Sequence, residues 1–170
     1  MSSLAYSLPM HFLAGAAALG LAGHAAAAAG LQPATPDEIV AGAKSCAAAT
    51  SPAGVDQHKL EADGWRHATV AAGDKPVGAT FYGKGDLLLT LNGPTAKVCF
   101  VTARIKDSDA FGTIGNALNQ ELGVTAAAKP DEPDTAYWFP PDHIVQMQLT
   151  GKPDAPAVRI AVGYNPSEKQ

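Results

Sequence analysis

One order of apolar patterns runs through this chain twice, and this repetition constrains the fold more than any single motif. Each copy has the pattern of a helix, a glycine that ends it, and then three strands with alternating apolar residues. The apolar positions Leu60, Leu89 and Leu91 of the first copy match Leu118, Met147 and Leu149 of the second at a constant offset. Half-repeats are therefore predicted over residues 55–105 and 113–164. Chance similarity between two unrelated hairpins is the alternative.

Two such units side by side predict an α+β fold. One unit alone leaves one face of its sheet bare, whereas two units side by side make an antiparallel sheet of about six strands with helices packed on one face. At the level of fold, this arrangement is similar to tandem helix-plus-sheet proteins of the β-lactamase-inhibitor type. The architecture carries this resemblance, and no sequence motif supports it.

The first helix has the most complete boundary signals. Thr35 is a capping residue, Pro36 suits the first helical position, and Glu38 completes a capping box. The helix is predicted over residues 36–49, with Cys46 on its apolar face.

The remaining elements follow from hydrophobic period and from turn residues. Helices are predicted over residues 55–62 and from Asp107 or Ser108 to Leu122, and strands over residues 66–71, 79–82, 86–91, 96–105, 136–139, 144–149 and 157–164. The segment 125–134 is predicted as a loop.

The only two cysteines, Cys46 and Cys99, are predicted to form a disulfide. An even count is the usual sign of pairing in an exported chain. A redox-active pair is the alternative, but it favours a Cys-x-x-Cys spacing that this chain lacks.

The first 36 residues contain no Lys, Arg, Asp or Glu. An apolar core over residues 12–23 and the small residues up to Ala29 are typical of a secretory signal peptide. We therefore predict a signal peptide over residues 1–29, a linker over 30–35, a single domain over 36–166 and a tail over 167–170, in a periplasmic or secreted protein. A membrane anchor is the alternative, and a start at Met10 would give a leader of more ordinary length.

The charge pattern narrows the choice of partner. The chain has 12 basic and 16 acidic residues, a formal net charge of −4, and its basic residues are scattered. Nucleic acid and anionic membrane surfaces both select for concentrated basic residues. We expect neither as a partner, and expect instead another envelope protein or a small ligand.

No motif assembles a catalytic, metal or cofactor site, and none is predicted. The chain has no Gly-x-Ser-x-Gly turn. His58 and Glu61 lie one helical turn apart and offer two metal ligands, with His67 or Asp63 as a possible third. Scattered surface histidines explain the same pattern.

An aromatic run at residues 137–139, followed by two prolines, is the best candidate contact site. Alternation places neighbouring strand residues on opposite faces, so at least one of these rings is predicted to point away from the core. The predicted binding residues are Tyr137, Trp138, Phe139, Phe81 and Tyr82. They are expected to form a stripe on the helix-free face of the sheet with Leu88, Thr90, Gln146 and Gln148.

These features favour an exported, non-catalytic binding or inhibitor-like module that is cross-linked by its disulfide. One alternative is a small periplasmic enzyme with a dispersed acid–base site, for which His67 and His143 are the candidates. Another is a structural component of the envelope.

Overall fold

Three helices and ten strands make up the part of the chain that the structure, a computed structural model, describes: residues 31–69, 78–129 and 131–166. The predicted signal peptide and tail lie outside these ranges. The helices are α1 (Pro36–Ala49), α2 (Gln57–Ala62) and α3 (Ala110–Leu122). The strands are β1 (Thr50–Ser51), β2 (Gly54–Val55), β3 (Arg66–Ala68), β4 (Thr80–Lys84), β5 (Leu87–Leu91), β6 (Val98–Arg104), β7 (Ala127–Ala128), β8 (Thr135–Trp138), β9 (His143–Lys152) and β10 (Ala155–Tyr164).

Eight strands form one antiparallel sheet in the order β3-β4-β5-β6-β10-β9-β8-β7, while β1 and β2 pair separately. The predicted α+β fold is confirmed. Seven strands, β3, β4, β5, β6, β8, β9 and β10, lie where strands are predicted, and the short strand β7 is added at one edge of the sheet. Residues 70 and 71 of the predicted strand 66–71 lie outside the described residues. The order is symmetric about the β6–β10 pair. Duplication of the sequence stays a prediction.

All three helices lie on the same face of the sheet. A Cβ atom added to Gly42 of α1 would come within 3.1 Å of Leu87 and Val101, so α1 packs closely on β5 and β6. A Cβ atom added to Gly115 of α3 would lie 3.6 Å from Met147. On α2, Gln57 accepts a 2.8 Å hydrogen bond from the hydroxyl of Tyr82. Among the described residues, the opposite face of the sheet therefore carries no helix.

The core lies between the helices and this face of the sheet. In β5 the odd-numbered leucines are buried and the residues between them are half-buried, which is the period of a strand with one covered face. The largest fully buried side chains are Trp65, Trp138, Tyr82, Ile39, Leu60, Leu89, Leu91, Ile105, Ile114, Leu118, Met147 and Ile160.

The capping box at the start of α1 is confirmed. The Thr35 hydroxyl accepts a 3.3 Å hydrogen bond from the Glu38 amide, and the Glu38 carboxylate accepts a 2.8 Å bond from the Thr35 amide. The hydrogen bonds from Thr35 hold the pKa of Glu38 below its usual range. The helix begins at Pro36 and ends at Ala49, as the sequence predicts.

Replacing Thr35 with alanine is expected to lower the free energy of unfolding by about 1 kcal/mol, because an amide of the first turn loses its partner. The measurement is urea unfolding followed by circular dichroism. Thr35→Ser is the matched control and is expected to stay close to wild type, since serine keeps the capping oxygen. An equal loss in both variants would contradict capping as the cause.

The disulfide joins α1 to β6. Cys46 and Cys99 are bonded with their Cα atoms 5.6 Å apart, and both side chains are fully buried. The predicted pairing is confirmed. A buried disulfide fits an exported protein of an oxidising compartment. Within the described ranges, none of the helices has the length and apolar character that a membrane crossing requires.

Candidate functional site

Two rows of side chains cross the face of the sheet that carries no helix. Strand register places Phe81, Thr90, Phe100, Ala161, Gln146 and Tyr137 in one row, and Gly83, Leu88, Thr102, Arg159, Gln148 and Thr135 in the next. We call these two rows the helix-free face. Six strands spaced about 4.8 Å apart give it a width of about 24 Å. The predicted placement of Leu88, Thr90, Gln146 and Gln148 on this face is confirmed.

The five predicted aromatic contact residues do not lie together. Phe81 and Tyr137 lie on the helix-free face and are half-buried. Tyr82 and Trp138 face the helices instead and are fully buried, because they pair with the core residues of neighbouring strands. Phe139 follows β8 and is 55% exposed. Two of the five residues expected in the stripe, Tyr82 and Trp138, therefore lie in the core.

Trp138 has a structural role. Its indole nitrogen donates a 2.7 Å hydrogen bond to the side-chain oxygen of Asn119 on α3. The same oxygen accepts a 2.9 Å bond from the Ala126 amide. Trp138 therefore joins β8 to α3 and to the segment that follows this helix.

Side chains from the neighbouring loop hold Tyr137 in place. Its hydroxyl donates a 2.6 Å hydrogen bond to Glu132 and accepts a 3.2 Å bond from Gln146. Lys129 lies 4.7 Å from the centre of the Tyr137 ring and bonds Glu132 at 3.2 Å. The bond to Glu132 raises the pKa of Tyr137, and the bond from Tyr137 lowers the pKa of Glu132. These contacts link Tyr137 to the loop before β8 and to β9.

Arg159 lies at the centre of the helix-free face and is exposed. Its Nη2 donates a 2.7 Å hydrogen bond to the side-chain oxygen of Gln148. The guanidinium carbon lies 5.9 Å from the centre of the Phe100 ring, at the outer limit of a cation–π contact. Residues on both neighbouring strands therefore orient this cation.

The candidate metal ligands come together only in part. Glu61 lies 3.3 Å from the Nε2 of His67 and 3.8 Å from the Nδ1 of His58. The His67 ring also stacks on Tyr82, with ring centres 4.4 Å apart. Among the residues that the structure describes, no group of three or more His, Cys, Asp and Glu side chains is arranged to hold a metal ion. The arrangement is one of surface contacts between Glu61 and two histidines.

His67 and His143 do not share a site. His67 lies on β3 at the edge of the sheet, whereas His143 begins β9, five strand spacings or about 24 Å across the sheet. The ring nitrogens of His143 lie 3.3 Å and 3.4 Å from the backbone oxygens of Pro141 and Thr50. The two histidines are too far apart to act on one substrate atom as acid and base.

An open concavity of about 400 Å³ lies between α1, α2 and β4. It is lined by Ala41, Lys44, Ser45, Ala48, Lys59, Asp63 and Lys84. Sequence reasoning did not find this cluster because its members are scattered over three elements and form no motif.

The cations of this concavity already have partners within the protein. Lys44 bonds Glu121 at 2.8 Å, Lys59 donates to the Ala48 carbonyl at 3.3 Å, and Lys84 bonds the Asp63 carboxylate at 3.0 Å. The hydrogen bond from Ser45, followed by the contacts with Lys84, holds the pKa of Asp63 below its usual range. Lys59 and Lys84 bond groups at the carboxyl ends of α1 and α2 respectively. We therefore assign these two lysines a role in capping the helices.

Comparison with protein-family models, with curated proteins and with solved structures gives no match to this chain.

Proposed function

We propose that this chain is an exported, non-catalytic binding module, periplasmic or secreted, that engages an envelope protein through the helix-free face. One observation carries the proposal: the three helices cover one side of the sheet, and two rows of residues, most of them with partly exposed side chains, cross six strands on the other. Export is supported by the charge-free leader and by the buried disulfide.

The chemistry of the helix-free face suits reversible contact with a protein. Protein interfaces are enriched in aromatic residues and arginine, surrounded by polar groups. This face offers the rings of Phe81, Phe100 and Tyr137, the guanidinium of Arg159, and several amide and hydroxyl side chains. An antiparallel sheet braced by a disulfide presents these groups with little ordering cost on binding.

Site-specific photo-cross-linking tests this function. A benzophenone amino acid is placed at Thr90 or Gln148 on the helix-free face, or at Asn116 as the control, since Asn116 is exposed on α3 on the opposite side. The full chain is expressed with its leader and irradiated in cells. We expect an adduct of one defined mass at Thr90 and Gln148 and none at Asn116.

The distribution of adducts decides the result. A partner that cross-links from Asn116 and from neither position on the helix-free face would overturn the proposed function. Absence of adducts at all three positions would also count against it, provided that each variant is exported and forms its disulfide.

A further inference from the structure

The strands carry charge of one sign. Within the described ranges, Asp and Glu occur only in helices, turns and loops and never in a strand. The strands do contain cations, and these are Arg66, Lys84, Arg104, Lys152 and Arg159. In a chain with a formal net charge of −4, the sheet is therefore locally positive.

By strand register four of these cations, Arg66, Arg104, Lys152 and Arg159, point to the side of the sheet without helices. Arg159 is the one that lies within the two rows of the helix-free face. Arg66 donates from Nη1 to the backbone oxygens of Glu61 and Trp65 at 3.3 Å and 3.5 Å. Arg104 is half-buried and donates to the Leu31 oxygen at 3.3 Å. Arg159 is exposed and lies in β10, one of the two central strands of the sheet.

Arg159 has the geometry of a prepared carboxylate receptor. A guanidinium has five N–H donors in a fixed plane, and the bond to Gln148 uses one of them. Phe100 and Gln148 restrict the side chain from two directions. Within the described part of the chain, Arg159 forms no ion pair with a carboxylate. Its remaining donors match the two oxygens of a carboxylate, which is the strongest contact that arginine makes with protein side chains.

We infer that the partner presents an acidic peptide segment to the helix-free face, with one of its carboxylates bound by Arg159. This inference rests on the proposed function and names the chemistry of its partner. The segment's other contacts are with the Phe100 ring and with the amides of Gln146 and Gln148 beside Arg159.

The same charges argue against a second copy of this chain as the occupant. Two helix-free faces brought together would offer neither Arg159 a carboxylate from the described strands, which contain none, so each guanidinium would lose water without gaining an opposite charge. A polyanion such as a sulfated polysaccharide or a nucleic acid is disfavoured as well. The two rows of the helix-free face contain one cation, Arg159, and therefore lack the row of cations that phosphate or sulfate chains select.

The test uses fluorescence anisotropy with the full mature chain and defined probes. The first probe is a labelled peptide of alternating Glu and Ser, the second is the same peptide with Gln in place of Glu, and the third is labelled dextran sulfate. At low salt we expect the Glu peptide to bind, the Gln peptide to bind at least about tenfold more weakly, and added salt to weaken the Glu peptide.

Variants locate the contact. Arg159→Glu is expected to weaken binding of the Glu peptide by about tenfold or more, and Arg159→Gln by less, because the first reverses the charge and the second only removes it. Lys106→Glu is the matched control: it changes the net charge by the same amount at an exposed position in a turn, and is expected to change affinity by less than about twofold.

Two results would contradict binding of an acidic segment at Arg159. Equal loss in Arg159→Glu and Lys106→Glu would overturn the inference, and so would binding of dextran sulfate without binding of the Glu peptide. The cross-linking experiment separates this failure from failure of the proposed function. If adducts at Thr90 and Gln148 persist unchanged in Arg159→Glu, the helix-free face is still an interface, as the proposed function states. The inference that Arg159 binds an acidic segment would then be wrong.

Discussion

Removing the disulfide by the double substitution Cys46→Ala and Cys99→Ala is expected to lower the free energy of unfolding by about 4 kcal/mol. The bond joins residues 53 positions apart, so it removes many extended conformations from the unfolded chain. Both sulfurs lie in the core between α1 and β6, where alanine adds no unpaired polar group. Urea unfolding of the purified variant measures the change. For one domain this is a large part of its total stability.

Reductant gives the control for this experiment. A reducing agent is expected to destabilise the wild-type protein by a similar amount and to leave the double variant unchanged. A variant that loses less than about 1 kcal/mol would contradict the disulfide's assigned role, because the chain-entropy contribution for a loop of this length is several times larger.

The helices and long strands could be predicted because local signals and burial agree along them. In α1, the Thr35 cap, the proline after it and the apolar spacing all specify one boundary and one buried face. In β5, alternate leucines indicate both the strand and its covered side. Each of these elements contains enough residues for its period to be recognised.

The two-residue strands could not be predicted from the sequence. β1 and β2 form a two-residue ladder, and β7 lies in the segment predicted as a loop. Two residues cannot show a period, and β7 exists because Ala127 and Ala128 pair with β8. Such strands are a consequence of tertiary pairing and not of local preference.

The face of the sheet that forms the candidate site was predicted from the sequence. Which side chains of β4 and β8 point to that face, and which point to the core, was not. Alternation requires Phe81 and Tyr82 to face opposite sides, as it does Tyr137 and Trp138, yet it does not say which ring is buried. The structure settles this through register, since Tyr82 pairs with Leu89 and Trp138 with Val145, which both face the helices. The apolar character of Leu89 and Val145 was the signal in the sequence that could have placed these two rings in the core.

The charge asymmetry of the sheet illustrates a second limit of prediction from the sequence. The absence of Asp and Glu from the strands can be read in the sequence once the strand boundaries are known. What distinguishes Arg159 from Arg66 and Arg104 is the contact that each makes, since Arg159 bonds a side-chain amide and the other two bond backbone oxygens. Sequence patterns report which residues share a face, whereas the structure reports which of them remain available.

Replacing Trp138 with alanine is expected to lower the free energy of unfolding by about 3–5 kcal/mol. The ring is fully buried between β8 and α3, with its Cζ2 atom 4.0 Å from the position of a Cβ on Gly115, so its removal leaves a large cavity. The substitution also removes the 2.7 Å hydrogen bond to Asn119. Urea unfolding, monitored by circular dichroism because the variant loses a tryptophan, measures the change.

Phe139→Ala is the matched control, because it deletes the neighbouring aromatic ring, which is 55% exposed. We expect its effect to stay within about 0.5 kcal/mol of wild type, as for most surface substitutions. A similar loss in both variants would show that the two rings share one environment, contrary to the placement of Trp138 in the core. If Trp138→Ala instead abolished binding while the free energy of unfolding was unchanged, Trp138 would be a contact residue, and the helix-free face could not be the interface. The two variants therefore separate a ring that holds the fold from one that lies on its surface.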